Sequence, residues 1–279
     1  MGNTFEFTLL IAAGSFLAGL LGSLTGLGGG VVIVPLLTLA FGVDIRYAIG
    51  ASLVSVIATS SGAAAAYLKE GFSNIRVGMF LEVATTIGAL SGAFLTTRIP
   101  TAAIAIIFGV VLLYSAWMSA KPEAEVPLEE KPDRLASFLK MDGSYPTPDG
   151  VRAYHVRGVP AGFGLMYVAG LLSGLLGIGS GAIKVLAMDR AMRIPFKVSA
   201  TTSNFMIGVT AAASAGIYLH RGYLDPGLAM PVMLGVLLGA LVGARILPTA
   251  KVRTLRLVFG VAIAAVAIEM IFKGIRGHL

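Results

Sequence analysis

Long apolar runs alternate with short polar links over most of the chain. Residues 5–118 and 160–273 form two apolar blocks, and residues 119–159 between them are polar. A helix of about 20 apolar residues crosses a bilayer, whereas transmembrane strands show short alternating segments. The pattern therefore predicts an all-α polytopic membrane protein with roughly 8–10 transmembrane or re-entrant segments.

The two apolar blocks repeat each other at an offset of 151 residues. FLAGLLGSLTGLGGG at Phe16–Gly30 corresponds to YVAGLLSGLLGIGSG at Tyr167–Gly181, and further pairs share the offset. Self-similarity at a fixed offset indicates an internal duplication. We divide the chain into a first transmembrane repeat (1–118), a polar insert (119–159) and a second transmembrane repeat (160–279).

Each repeat contains five segments of helical character. In the first repeat they are Thr8–Thr25, Val31–Gly42, Ile45–Leu68, Arg76–Thr97 and Thr101–Met118. In the second they are Pro160–Leu176, Ala182–Met192, Pro195–Leu219, Pro226–Leu247 and Val252–Phe272. Asp44, Ser73 and Asp225 are predicted N-caps because they precede such segments.

The insert has the composition of a soluble protein, with 7 of the 14 acidic and 6 of the 21 basic residues. Its segment GSYPTPDGVRAYHV predicts two strands joined by a Pro-Asp-Gly turn. The insert is therefore either a small ordered appendage or a solvated connector.

The direction of the second repeat depends on the first two segments of each half. If they form one broken span, the repeats are parallel and the loop Lys and Arg residues divide 9 against 11. If they form a hairpin, the repeats are inverted and the division is 15 against 5, with Lys184 left out as intramembrane. The positive-inside rule favours inverted repeats, a cytoplasmic insert and both termini on the periplasmic or extracellular side.

The composition excludes a soluble enzyme and a disordered chain. Hydrophobic residues make up 56% of the sequence and charged residues 13%, against about 25% charged in soluble domains. There is no cysteine and there are three scattered histidines, so we predict no metal site and no cofactor. The net charge of +7 is attributed to cytoplasmic loops rather than to a nucleic-acid partner.

Two glycine clusters at equivalent positions are the strongest candidates for function. They comprise Gly26, Gly28, Gly29 and Gly30 in the first repeat, and Gly177, Gly179, Ser180 and Gly181 in the second. Such clusters should interrupt a helix, and the short helix that follows would begin inside the membrane with free N–H groups and a positive dipole end. This arrangement predicts an anion site between the clusters.

Close packing of helices is the alternative explanation for these glycines. We favour it for the scattered residues Gly88, Gly92, Gly239 and Gly243, and favour broken helices for the two clusters.

Polar side chains after the clusters are candidates for the same site. Ser52 occupies the position equivalent to Ser203, which lies between Thr202 and Asn204. Their polar groups could bind an oxyanion, or they could bond to neighbouring helices.

Two ionisable residues lie within predicted membrane segments. Lys184 follows the second glycine cluster and is interpreted as a positive charge at the anion site, although it could also snorkel or pair with Glu82 or Glu269. Glu82 is the candidate for proton coupling, unless it lies near an interface.

The motifs together resemble the TauE/SafE sulfite exporter family, also called the 4-toluene sulfonate uptake permease family. The resemblance is carried by AGLLGSLTGLGGGVVIVPLL, by KVSATTSNFMIG at Lys197–Gly208 and by GALVGARIL at Gly239–Leu247. It implies a multi-pass transporter of the bacterial inner membrane for anions such as sulfite, sulfonates and sulfoacetate.

Family motifs fall on residues already singled out. The glycine motif corresponds to Gly26, Gly28, Gly29 and Gly30, and to Gly177, Gly179 and Gly181; the hydroxyl-asparagine motif corresponds to Thr202, Ser203 and Asn204. This sequence departs from the family at Ser180, where glycine is usual, and at Leu186, where the repeat partner is Pro35.

Residues and resemblance together predict a secondary transporter, an exporter or permease, that moves a small sulfur-containing anion by alternating access. The expected partners are the lipid bilayer, the anion and protons as a candidate coupling ion. A passive anion channel of the same architecture is the alternative. An intramembrane enzyme is disfavoured because few ionisable groups lie in the spans.

Overall fold

The computed structural model describes residues 4–25, 29–69, 73–119, 133–147, 150–246 and 252–277. The first half contains α1 (Thr4–Thr25), α2 (Gly30–Pro35), α3 (Ile45–Lys69), α4 (Ile75–Leu95) and α5 (Thr101–Ser119). The insert contributes α6 (Arg134–Phe138), β1 (Gly143–Thr147) and β2 (Gly150–Tyr154). The second half contains α7 (Val159–Leu176), α8 (Gly181–Leu186), α9 (Phe196–His220), α10 (Pro226–Ile246) and α11 (Val252–Arg276).

The helix bounds recur at the offset of 151 residues that relates the two blocks of sequence. The first and last residues of α3 and α4 correspond to those of α9 and α10. The short helices α2 and α8 each continue as a five-residue π-helical turn, π1 (Leu36–Ala40) and π2 (Ala187–Ala191). The same local irregularity therefore occurs at the same place in both halves.

Three helices in the described part of the chain are long and apolar enough to cross a membrane by themselves. They are Ile75–Leu95, Val159–Leu176 and Pro226–Gly243. These helices, the remaining apolar helices and the limited charge agree with an all-α membrane protein carrying a small hairpin.

Side-chain caps confirm two of the three predicted helix starts. Asp44 Oδ1 accepts from Arg46 N, and Asp225 Oδ1 accepts from Gly227 N at 2.6 Å. The prediction for Ser73 is wrong, because the next residue, Asn74, is the N-cap of α4 and accepts from Val77 N.

The two halves pack together through glycine-rich helix faces. Helix α1 lies against α10, and its equivalent α7 lies against α4. At Gly88 and Gly239 a Cβ atom would collide with the carbonyl oxygens of Tyr167 and Phe16, which are themselves equivalent residues. The packing role predicted for Gly88, Gly92 and Gly239 is confirmed, since each lets a neighbouring backbone approach closely.

The insert contains the predicted hairpin, in which β1 and β2 pair antiparallel. Asn74 Nδ2 donates to Met141 O and to the Tyr154 hydroxyl, both at 2.8 Å. Burial raises the pKa of the Tyr154 phenol, which therefore stays protonated and neutral at physiological pH. The described part of the insert is thus an ordered appendage fastened to the start of α4.

Candidate functional site

The predicted interruption in the second repeat is present, since α7 ends at Leu176 and α8 begins at Gly181. In the first repeat the short helix α2 begins at Gly30, with Gly29 as its N-cap. The second break has positive φ angles of 68° at Gly177, 67° at Gly179 and 44° at Ser180. Such angles favour glycine, so Ser180 is the strained member of the group. Gly26 and Gly28 lie outside the described residues.

The breaks of the two halves touch each other. A Cβ atom on Gly30 would lie 2.9 Å from Gly177 O and 2.8 Å from Ser52 Oγ. Ser52 Oγ donates to Gly177 O at 2.7 Å, so α3 of the first half holds the break of the second. Gly29, beside this contact, is buried against Val236 of α10.

Hydroxyl groups bond the second break to the helices around it. Ser203 Oγ donates to Gly181 O at 3.4 Å, and Ser180 Oγ donates to Ala169 O at 2.6 Å. Ser52 and Ser203, which are equivalent residues, therefore both bond to the same break. In this conformation they hold backbone groups in place, which is the interhelical role considered for them above.

The remaining polar candidates lie along α9. Thr202 Oγ1 accepts from Asn74 N at 3.0 Å, so Thr202 faces α4 and the insert rather than the break. Asn204 is partly buried one position beyond Ser203. The structure thus groups the described glycines with Ser52, Ser180 and Ser203, and places the Thr202 hydroxyl outside that group.

The breaks leave backbone donors at the starts of both short helices. The first backbone bonds of α2 and α8 run back to Gly29 O and Ser180 O. The N–H groups in the first turn of a helix have no partner within that helix. The positive ends of the α2 and α8 dipoles therefore lie in the region where the two halves of the chain are in contact.

Lys184 is connected to Glu82 through a hydroxyl group. Lys184 is 0% exposed, and its Nζ donates to Thr210 Oγ1 at 2.5 Å. Thr210 Oγ1 in turn donates to Glu82 Oε1 at 2.7 Å. Glu269 instead lies 3.8 Å from Lys273 on the same helix, so of the two carboxylates considered for Lys184 the structure favours Glu82.

Thr210 was missed by the sequence analysis. It lies on an apolar helix, and its repeat equivalent Thr59 bonds within its own helix, to Ser55 O and Val56 O. The signal in the sequence was indirect, since two opposite charges in apolar segments each require a polar neighbour. Among the described residues, no group of three or more His, Asp or Glu side chains could hold a metal ion.

Comparison with known proteins identifies the family. The model of the sulfite exporter TauE/SafE family matches residues 11–270. The chain belongs to this family. A probable membrane transporter protein of Bacillus subtilis, YunE, is 27% identical over 97% of this chain and 99% of its own length. A probable membrane transporter protein of Methanocaldococcus jannaschii, MJ0441, is 26% identical over 96% and 97% of the two chains.

No solved structure is detectably similar to the chain. Its TauE/SafE membership, its similarity to probable transporters along nearly their full length and its apolar helices make it a membrane protein of a transporter family.

Proposed function

We propose that the protein is a secondary transporter of the cell inner membrane that moves a small sulfur-containing anion by alternating access. The observation that carries this proposal is the contact between the two helix breaks, where Gly30 meets Gly177. In this arrangement the first residue of α2 lies against Gly177, four residues before the start of α8.

The chemistry of the breaks favours a small oxyanion. Each helix start contributes up to about 2 kcal/mol toward an anion when partly buried. Lys184 adds a full positive charge one turn into α8. Sulfite, a sulfonate or sulfoacetate presents several oxygen acceptors to such donors, whereas a cation would be repelled by both dipole ends.

Gly29, Gly30, Gly177, Gly179 and Gly181 would let backbone approach the anion, together with Gly26 and Gly28. The hydroxyl groups of Ser52, Ser180 and Ser203 would either keep donating to backbone carbonyls around the break or donate to the oxygens of a bound anion instead. Asn204 is proposed to support this surface from α9, whereas the Thr202 hydroxyl accepts from Asn74 N and holds α9 against the start of α4.

Inverted repeats are the topology that we propose. Supporting it, the ring of Tyr47 near the start of α3 makes an edge-to-face contact with Tyr223 just after α9. At the other end, Thr202 in the first half of α9 bonds to Asn74 just after α3. Equivalent helices that run in opposite directions are expected of inverted repeats.

The positions of the basic residues also support the inverted topology. Arg98 and Arg221 stack on the same ring, Phe94, at 4.7 and 5.3 Å. These two residues fall on one face only if the repeats are inverted. We propose that this face is periplasmic or extracellular, as are the termini, and that the insert is cytoplasmic.

A flux assay tests the proposed function. Purified protein in liposomes is expected to take up labelled sulfite and methanesulfonate faster than empty liposomes, and unlabelled anion inside should accelerate entry. This trans-stimulation is expected of a carrier that exposes one site alternately, and a passive channel would not show it. Uptake equal to that of empty liposomes for every sulfur anion tested, in folded protein, would contradict the proposal.

A further inference from the structure

Two opposite charges are buried together beside the second break. Lys184 is fully buried and Glu82 is 7% exposed, and they come from different halves of the chain. The position equivalent to Lys184 in the first half is Ile33, so the pair occurs once in the two repeats. We propose that Glu82 and Lys184 couple one proton to one monovalent anion, making the protein an electroneutral symporter. This proposal rests on the proposed function and adds its coupling ion and stoichiometry.

Glu82 has an oxygen available to a proton. Its Oε1 accepts from Thr210 Oγ1 at 2.7 Å and from Thr86 Oγ1 at 3.1 Å. Its Oε2 is buried and has no hydrogen-bond partner in the part of the chain that the structure describes. A buried carboxylate oxygen without a donor is costly, and a proton on that oxygen removes the charge that makes it so.

Charge balance in the interior then links the proton to the anion. With Glu82 ionised and the site empty, the negative carboxylate and the positive Lys184 sum to zero. When Glu82 takes a proton, Lys184 is left uncompensated, and a monovalent anion restores neutrality. A net charge buried away from water is far more costly than a neutral pair. The site should therefore switch readily between the two sides of the membrane in two states: empty with Glu82 ionised, and anion-bound with Glu82 protonated.

Thr210 is positioned to transmit the change. Its hydroxyl carries one proton, which can be donated to Glu82 Oε1 or to Met206 O, at 2.7 and 2.9 Å. Protonated Glu82 accepts more weakly, which favours the bond to Met206 O within α9. The Thr210 oxygen still accepts from Lys184 Nζ, while the electrostatic hold of Glu82 on Lys184 is lost.

Contact between this network and the break runs through α7. Ser180 in the break bonds to Ala169 O, and the next residue, Gly170, packs against the backbone of Thr85 on α4. Thr85 Oγ1 lies 3.5 Å from Thr210 Oγ1. The buried pair is therefore connected to the second break through the backbone of α7 at Ala169 and Gly170.

Other ionisable groups on the elements packed against α4 lie away from Glu82. Lys197 and His220 are exposed at the two ends of α9, and Tyr167 on α7 faces Ser91 at 3.5 Å. Tyr218 of α9 lies at the far end of α4, where its hydroxyl donates to Gly174 O and is 2.9 Å from Thr96 Oγ1. Asp189 in π2 is 3.6 Å from its neighbour Arg190.

On the insert side, Arg76 lies in the first turn of α4 and bonds to Lys140 O, and Asp142 and Tyr154 follow in the insert. Of the charged groups in the described ranges, Lys184 is the one that acts on Glu82.

The test uses wild type, Glu82→Gln and a matched control, Glu269→Gln, in liposomes with a lumenal pH dye and labelled methanesulfonate. In wild type, uptake should acidify the lumen and be independent of membrane potential. Net flux should stop when the inside-to-outside concentration ratio of the anion is roughly equal to the outside-to-inside ratio of protons. Glu82→Gln should retain exchange of labelled for unlabelled anion and lose at least about 90% of proton-driven net uptake. Glu269→Gln, which changes an exposed carboxylate, should behave as wild type.

The outcomes separate this proposal from the proposed function. Proton-driven net uptake that persists in Glu82→Gln, or wild-type uptake that carries net charge or no protons, would overturn the coupling while leaving transport established. Wild type that moves no sulfur anion would overturn both. The wild-type flux balance decides the stoichiometry even if Glu82→Gln does not fold.

Discussion

Gly177→Ala is expected to reduce anion transport by roughly tenfold or more. Gly177 has a φ of 68°, which costs a residue with a Cβ atom about 1–2 kcal/mol. The added Cβ would also lie 2.8 Å from Ile49 Cγ2 and 3.0 Å from Ile49 O, so the break must shift. The shift displaces the carbonyl that Ser52 holds, and every 1.4 kcal/mol lost in binding is about tenfold in affinity. Initial rates of methanesulfonate uptake in liposomes measure the effect.

Gly222→Ala is the matched control for this substitution. Gly222 has a φ of 73° but nothing within 4 Å of an added Cβ. Alanine there would have the strain of a positive φ but no steric clash with a neighbouring residue. It should lower thermal stability and leave the uptake rate within about twofold of wild type, since the contact is missing. Equal uptake by Gly177→Ala and wild type would show that the break geometry does not matter. If Gly177→Ala does not fold, Ser52→Ala removes the same hydrogen bond with a smaller disturbance.

Lys184→Met is expected to destabilise the protein by about 3–5 kcal/mol at alkaline pH, where Glu82 is ionised, and by less at acidic pH, where Glu82 can take a proton. Removing one member of a buried ion pair leaves the other charge uncompensated in the interior. This uncompensated charge causes the large decrease in the free energy of unfolding. The double variant Lys184→Met/Glu82→Gln should recover much of this stability because no charge is then left buried. Thermal unfolding in detergent, followed by circular dichroism, measures all three proteins.

An exposed pair in the same protein provides the comparison. Lys273 and Glu269 are one turn apart on α11, and both are partly exposed. Lys273→Met should cost less than about 1 kcal/mol, as surface pairs do. If Lys184→Met were as stable as wild type, or if the double variant were less stable than both single variants, the two buried charges would not form a compensating pair.

The helices were largely predictable from the sequence because two independent signals agreed. Apolar runs located the segments, and the offset of 151 residues required the same bounds in both halves. The segment predicted at Ile45–Leu68 is α3 at Ile45–Lys69, and the one predicted at Pro226–Leu247 is α10 at Pro226–Ile246. The glycine breaks followed from backbone freedom, which is a local property.

Contacts between the halves could not be read from the same signals. That Gly30 would meet Gly177, and that Thr210 would connect Lys184 with Glu82, depends on how α3 and α9 cross. Hydrogen-bond partners far apart in the chain leave no spacing pattern in one sequence. The cap shows the same limit, since Asn74, rather than Ser73, also bonds to Met141 and Tyr154 of the insert, far along the chain.

The most direct test of the account is the location of a bound anion in an experimental structure. Selenite resembles sulfite and scatters X-rays anomalously, so its position can be assigned without reference to the protein. We predict an anomalous peak between the two breaks, within hydrogen-bonding distance of the N–H groups at the starts of α2 and α8. A selenite peak elsewhere in the membrane region, with uninterrupted packing between Gly30 and Gly177, would contradict the account.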